Sequence, residues 1–256
     1  MTSFSLAALM EDGSQVMTAW ITIPEPLVAE SAARAGFDCV TLDMQHGLHD
    51  AVNVMRAISA TALAGRPAVV RIAVGDFAFA SRALDMGASA VIAPMINSAA
   101  DARAFVEAVK YPPIGRRSWG ATRALQLIGC DQQTYLATAN RSTLAFAMIE
   151  TVEAMEALDD ILAVPGLDAI FIGPSDLSIA LSNGADVDPM RADNQVAAAT
   201  IREKARASGK HTGIFALTGA QGKLYRDLGY DFIAIGADSL YLAFGASAML
   251  DEARRG

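Results

Sequence analysis

Eight apolar runs of strand length constrain this chain more than any other feature. They are Met17 to Ile23, Asp38 to Met44, Pro67 to Ala73, Ala90 to Ile96, Thr143 to Glu150, Ala169 to Gly173, Thr212 to Leu217 and Phe232 to Gly236. Each is followed by a cap or turn residue and then by a helical pattern. Eight runs in 256 residues make about 32 residues per unit, the size of a βα repeat. Runs so uniformly apolar suit parallel strands covered on both faces. A closed (β/α)8 TIM barrel satisfies both the count and the burial. A doubly wound open sheet would want a glycine-rich fingerprint after its first strand, and Ile21-Thr22-Ile23-Pro24-Glu25-Pro26 has none. The expectation is one α/β barrel domain over residues 1–256.

The segments between the runs carry helix punctuation. Asp50 can cap the pattern Val54, Met55, Ile58, and Ser98 with Asp101 resembles a capping box ahead of Phe105, Val106 and Val109. Thr151 can cap one helix carrying Met155, Leu158, Ile161 and Leu162, ended by Pro165-Gly166. Two stretches break the short-loop rule. Tyr111 to Asn140 far exceeds the usual ~2 to 6 residues of an αβ connection, and Ser182 to Pro189 is a shorter polar interruption. Both read as lids or subunit contacts rather than domain boundaries.

Composition narrows the partners. The chain is 53% hydrophobic with a mean hydropathy of +0.31, yet no window reaches the ~18 apolar residues of a spanning helix, so the excess belongs to buried strands and no membrane partner is expected. A net charge of -8 opposes the clustered Lys and Arg that nucleic acid requires. Cys39 and Cys130 form no disulfide framework or metal-ligand spacing, and the N-terminus lacks a basic, apolar leader pattern. The expected setting is the reducing cytoplasm.

Barrel chemistry sits at the C-terminal strand ends. There the chain offers Trp20, then Asp43, Gln45 and His46, then Arg71, Asn97, Glu150, Gly173-Pro174-Ser175-Asp176, Phe215 and Asp238. Glu150 and Asp176 fall on consecutive parallel strands, ~4.8 Å apart. Two carboxylates so close repel unless neutralised, and a hard divalent cation meets that need. Mg2+ or Mn2+ suits the pair better than structural zinc; the competing reading has one carboxylate bonded to Arg71 or capping a helix. His46 follows a strand end beside Asp43, where a general base could stand, although a lone histidine is often a plain hydrogen-bonder. Arg71 is costly unless it meets an anion at the mouth or pairs with a strand-end carboxylate. Lys110, Lys204, Lys210 and Lys223 lie in helical patterns or just before a strand. None is placed to form a Schiff base, so carbanion chemistry would need a metal as its electron sink.

These residues resemble the HpcH/HpaI aldolases, metal-dependent pyruvate aldolases, from about Trp20 to Asp238. The resemblance is carried by Ala35-Gly36-Phe37-Asp38 leading to Asp43-Met44-Gln45-His46, by Arg66-Pro67-Ala68-Val69-Val70-Arg71, and by Ala83-Leu84-Asp85-Met86-Gly87-Ala88. It continues through Tyr111-Pro112-Pro113-Ile114-Gly115, Ile149-Glu150-Thr151, and Gly166-Leu167-Asp168-Ala169-Ile170-Phe171-Ile172-Gly173-Pro174-Ser175-Asp176-Leu177-Ser178.

The resemblance implies a phosphoenolpyruvate/pyruvate-type barrel that cleaves 4-hydroxy-2-oxo acids to pyruvate or hydroxypyruvate and an aldehyde. It implies His46 as base, Asp85 as the carboxylate that raises its basicity across a subunit contact, and Arg71 as stabiliser of the enolate. It further implies Glu150 and Asp176 as ligands of Mg2+ or Mn2+, with Co2+ as a third candidate and no organic cofactor. Gly173, Pro174, Ser175 and Asp176 would line the carboxylate pocket, and relatives form hexamers with exchanged C-terminal helices, for which Leu240 to Leu250 is apolar enough.

Two positions depart from the family. Gln45 stands where members often carry Glu, and Met148 where many carry a substrate-contacting Gln. Trp20 and Phe215 would border the aldehyde side, unless they are ordinary barrel core. The loop Leu217 to Gly222 sits where barrels often bind phosphate, which keeps a phosphosugar open. An acyl-CoA lyase and a non-catalytic 2-oxo acid binder are the competing functions.

Overall fold

A computed structural model describes residues 5–255. The eight expected strands are present as Val16–Ile21 (β1), Cys39–Asp43 (β2), Ala68–Arg71 (β3), Ala90–Ala93 (β4), Leu144–Ile149 (β5), Ala169–Ile172 (β6), His211–Ala216 (β7) and Phe232–Ile235 (β8). They are parallel and follow one another in chain order around a closed barrel, β1 pairing with β8. Helices return along the outside between strands.

Because side chains alternate across a strand, each run serves two cores. One parity points inward, where Val16, Cys39, Val69, Ala90, Phe146 and Phe232 fill the barrel. The other points outward, where Ile21, Leu42, Val70, Val91, Ile170 and Ile233 meet the apolar helix faces. This double burial is why the runs read as continuously apolar. The inward parity carried one step further, to the rim, is Trp20, Asp43, Arg71, Glu150, Gly173 and Phe215.

The helix caps form as their sequence implies. Asp50 accepts from the Asn53 amide at 2.8 Å, Ser98 from Asp101 at 3.2 Å and Thr151 from Ala154 at 3.0 Å. One helix departs from expectation: the segment after Thr151 is split into Val152–Glu156 and Leu158–Leu162. Ala157, at ψ 5°, ends the first and opens the second, a turn that lets Leu158, Ile161 and Leu162 all reach the core.

The long stretch after Tyr111 holds two helices, Thr122–Ile128 and Gln132–Ser142. They enclose a small core of their own from Tyr111, Ala121, Ala124, Tyr135 and Ala139. Lys110 ties this unit to the N-terminal end of the barrel, its Nζ donating to the carbonyls of Asn140 and Thr143 at 2.8 and 2.7 Å and to Asp168 at 2.6 Å. The last helix, Asp238–Arg254, is 17 residues long, yet Asp238 is its only buried residue, while Leu242, Phe244 and Met249 are 58%, 66% and 75% exposed. Among the described residues no helix is long and apolar enough to cross a membrane.

Asp238 joins that helix to the start of the barrel. Its carboxylate accepts from the Thr22 amide at 3.0 Å, the Thr22 hydroxyl at 2.7 Å and the Ile23 amide at 2.8 Å. Replacing it with alanine strands these donors, so Asp238→Ala should destabilise the protein by about 2 to 4 kcal/mol. Urea unfolding checks this; an unchanged midpoint would show that water replaces the carboxylate.

Candidate active site

A cavity of about 240 Å³ opens at the C-terminal end of the barrel, lined by Trp20, Thr22, His46, Arg71, Met148, Phe171, Gly173, Pro174, Ser175, Asp176, Phe215 and Ala237. Its organising residue is Asp43, which ends β2 in register with Arg71 at the end of β3. The shared register and parity bring the two side chains together. Arg71 donates from Nε to Asp43 Oδ1 at 2.8 Å and from Nη2 to Oδ2 at 2.7 Å, a buried two-pronged ion pair.

The indole Nε1 of Trp20 donates to Asp43 Oδ2 at 3.2 Å, and the Arg71 guanidinium lies 4.7 Å from the centroid of the same ring. The amides of Gln45 and His46 donate to Asp43 Oδ1 at 3.0 and 3.3 Å. Burial alone would push the Asp43 carboxyl up, but the Arg71 pair, the His46 amide and the Trp20 indole outweigh it and hold it below the usual range. Asp43 therefore stays charged, and it fixes both the arginine and the loop that carries His46 into the cavity.

Across the mouth lie the two acids. Glu150, one residue past β5 and 1% exposed, accepts from the Met95 amide at 2.9 Å through Oε1. Its other oxygen, Oε2, is buried without a partner. Burial raises the Glu150 carboxyl to about 7, against the pull of the Met95 amide and with further upward pressure from the adjacent Asp176 carboxylate. Gly173 leaves the space this needs, since a Cβ there would lie 2.4 Å from Glu150 Oε2 and 2.6 Å from Met148 Cε.

An orphaned carboxylate oxygen beside a second carboxylate fits a hard divalent cation. Among the described residues no group of three His, Cys, Asp or Glu is placed for a metal, so the remaining ligands would be water and substrate oxygens. Pro174, Ser175 and Asp176 form the first turn of the helix Pro174–Leu181, whose free amides suit an anion.

The structure thus brings Trp20, His46, Arg71, Gly173, Pro174, Ser175, Asp176 and Phe215 around one cavity, with Glu150 against Gly173. Trp20 and Phe215 are both wall and core: Trp20 stacks on Phe171 at 5.7 Å and meets Phe215 edge-on at 5.3 Å. Asp85 stands apart. It ends the helix after β3, at the opposite end of the barrel, and accepts from Arg117 Nη2 at 2.6 Å.

The 217–222 loop does not line the cavity. Two of its amides are already used, Leu217 by Gln221 Oε1 and Gln221 by Thr218 Oγ1. Asp238, a rim carboxylate by strand position, is engaged by Thr22 and Ile23. The four lysines lie away from the cavity. Sequence reasoning missed Asp43 as the hub; its matching rim position with Arg71 was the available signal. Thr22, Phe171 and Ala237 were missed as lining residues.

A (β/α)8 barrel whose rim gathers a histidine, an arginine and two carboxylates at one small cavity has the groups that carbon–carbon lyase chemistry on small oxo acids would use, and the comparisons supply the class. The chain belongs to the HpcH/HpaI aldolase/citrate lyase family, whose model matches residues 16–243. It is 37% identical over 243 residues to a hydroxypyruvate/pyruvate aldolase of Rhizorhabdus wittichii, covering 95% of this chain and 96% of that one. It is 36% identical to a 4-hydroxy-2-oxo-heptane-1,7-dioate aldolase of Salmonella heidelberg, covering 90% and 87%. The crystal structure of an HpcH/HpaI aldolase from Desulfitobacterium hafniense superposes with a TM-score of 0.90 at 25% identity, covering 99% and 98%. The protein is an enzyme of the aldolase and lyase type.

The raised Glu150 carboxyl gives metal-free protein a distinct pH response. Its folded value lies above its unfolded 4.5, so the stability it confers is complete below about pH 4.5 and is lost as pH rises through about 7. The full amplitude is on the order of 3 kcal/mol. Urea midpoints measured in chelator from pH 4.5 to 8 should fall more steeply for the wild type than for Glu150→Gln. Parallel curves would remove the burial assigned to this carboxyl.

Proposed function

We propose that this enzyme reversibly cleaves 4-hydroxy-2-oxo acids to pyruvate or hydroxypyruvate and an aldehyde, as a class II, divalent-metal-dependent aldolase. The observation that carries the reading is the orphaned Glu150 oxygen beside Asp176, across one small cavity from Arg71 and His46. Mg2+ or Mn2+, with Co2+ as a further candidate, would be held by Glu150 and Asp176 and would supply the positive charge that polarises the 2-oxo group.

The remaining work falls to the chain. Amides in the first turn of the helix Pro174–Leu181 hold the substrate carboxylate. Arg71, oriented by Asp43, turns its unused N–H groups toward the oxygen on which charge develops as C3–C4 breaks. His46 takes the C4 hydroxyl proton during cleavage, and the enolate left at C3 takes a proton to become pyruvate; addition runs the same proton moves in reverse. Trp20, Met148 and Phe215 exclude water from the aldehyde side. Asp85 lies at the opposite end of its own barrel from its own His46; the partner subunit's Asp85 is the proposed carboxylate. A cavity of about 240 Å³ suits a short oxo acid better than an acyl-CoA ester.

We also propose a homohexamer, a trimer of dimers that exchange C-terminal helices, working in the cytoplasm. The bare helix Asp238–Arg254 supports the exchange, and the free Cys39 and Cys130 suit a reducing compartment.

His46→Ala should lower turnover by ~100- to 10,000-fold while divalent-metal affinity, read by calorimetry, survives. Chelation should abolish wild-type turnover and Mn2+ restore it; full activity in the histidine variant, or in chelator, would end the mechanism. Sedimentation should give six copies, and a pair of charges at Leu242 and Phe244 should lower that number.

A further inference from the structure

We infer that Arg117 is a positioning residue for the reaction in a neighbouring subunit, where it aims the Asp85 of its own chain at the histidine base across the subunit contact. The inference rests on the reading above, in which the partner subunit's Asp85 serves His46. Asp85 is the last residue of the helix Phe77–Asp85, where a carboxylate opposes the helix dipole and gains nothing from the helix itself. It is held from outside instead. Arg117 Nη2 donates to Asp85 Oδ1 at 2.6 Å, and the Arg117 side chain is fully buried while that of Asp85 is 26% exposed. Among the described residues this is the one hydrogen bond that the Asp85 side chain accepts. Gly120 leaves the space for it, since a Cβ there would stand 2.8 Å from Asp85 Oδ2 and push the carboxylate aside. One oxygen is thus clamped, and the other is left for a donor from outside the chain.

Arg117 is fixed more firmly than a surface ion pair requires. Its guanidinium lies 4.6 Å from the centroid of the Tyr111 ring. Its backbone amide donates to the Lys110 carbonyl at 2.9 Å, and Lys110 is itself tied down by the three hydrogen bonds of its Nζ. Tyr111 and Tyr135 are the other titratable groups that act on the guanidinium. Their buried hydroxyls, like Arg117 Nε and Nη1, have no partner among the described residues. Asp85 is therefore the one carboxylate this buried cation answers to. For stability alone an apolar side chain would serve as well or better, because desolvating a guanidinium with idle N–H groups can cost more than one ion pair returns. What the arrangement secures is the direction of the Asp85 carboxylate. The logic inverts that of Asp43, where a saturated carboxylate aims an arginine.

The test uses full-length, Mn2+-loaded protein cleaving 4-hydroxy-2-oxopentanoate to pyruvate and acetaldehyde. Arg117→Met should lower kcat by about 10- to 100-fold, the loss that a small misplacement of a reacting group brings. KM, Mn2+ affinity by calorimetry and oligomer size by sedimentation should stay unchanged. Arg117→Lys, which keeps a charged donor for Asp85, should recover part of that loss. In Arg117→Met/Asp85→Asn, kcat should fall no further than in Asp85→Asn alone, because nothing is left to position. Coexpression of Arg117→Met with His46→Ala should give mixed oligomers more active than either parent, with about one site in four intact when chains mix at random around a closed ring. In those sites a sound His46 meets a sound Arg117 and Asp85 from the neighbouring chain. If Arg117→Met does not assemble, Arg117→Gln takes its place in every arm. Full kcat in the arginine variant, additive losses in the double variant, or complementation of His46→Ala by Asp85→Asn but not by the arginine variant overturns the inference and leaves the cross-subunit reading intact. Failure of Asp85→Asn itself to complement His46→Ala overturns that reading and the inference with it, as does absence of cleavage by the wild type.

Discussion

Asp43 and Arg71 end adjacent strands in register, so a buried carboxylate meets a buried guanidinium through two hydrogen bonds of 2.8 and 2.7 Å. The rest of the site is arranged around this pair. Burying either charge alone is costly, and removing one partner of such a pair typically costs about 3 to 5 kcal/mol. Here the pair is completed by the Trp20 indole and two loop amides, so the oxygens of Asp43 are satisfied and its charge is secure. One carboxylate thereby aims Arg71 and anchors the His46 loop.

On the opposite wall the balance is left incomplete. Glu150 has one oxygen on the Met95 amide and one with no partner, and Asp176 adds repulsion. The contrast is between a saturated acid at Asp43, which holds Arg71, and an unsaturated one at Glu150, which keeps an oxygen open. Met95 reaches Glu150 from a left-handed backbone conformation, φ 55°, which is uncommon for a residue with a side chain and marks the turn as shaped for the site.

Much of this was legible in the chain because the barrel couples pattern to position. Continuous apolar runs require two covered faces, and the count of eight closes the sheet. Caps at Asp50, Ser98 and Thr151 were readable because their hydrogen bonds span three residues. The break at Ala157 was not readable, since it answers to the core packing of Leu158 and Ile161 rather than to a local breaker. The small core inside the 111–140 stretch was hidden for the same reason. Asp238 illustrates a further limit: a strand-end carboxylate looks available until the Thr22 and Ile23 amides are seen to occupy it.

By itself the sequence determined the fold class, the rim residues and the family, because these follow from local periodicity, strand order and contiguous motifs. Only the tertiary structure decided which polar groups are spent and which are free. Arg71 is held by Asp43, the 217–222 amides are used by their own side chains, and Glu150 keeps one oxygen open. The physical reason is that hydrogen-bond satisfaction is a property of three-dimensional neighbours. Residues far apart in the chain, such as Trp20, Asp43 and Arg71, share one network only once strand register sets their heights in the barrel.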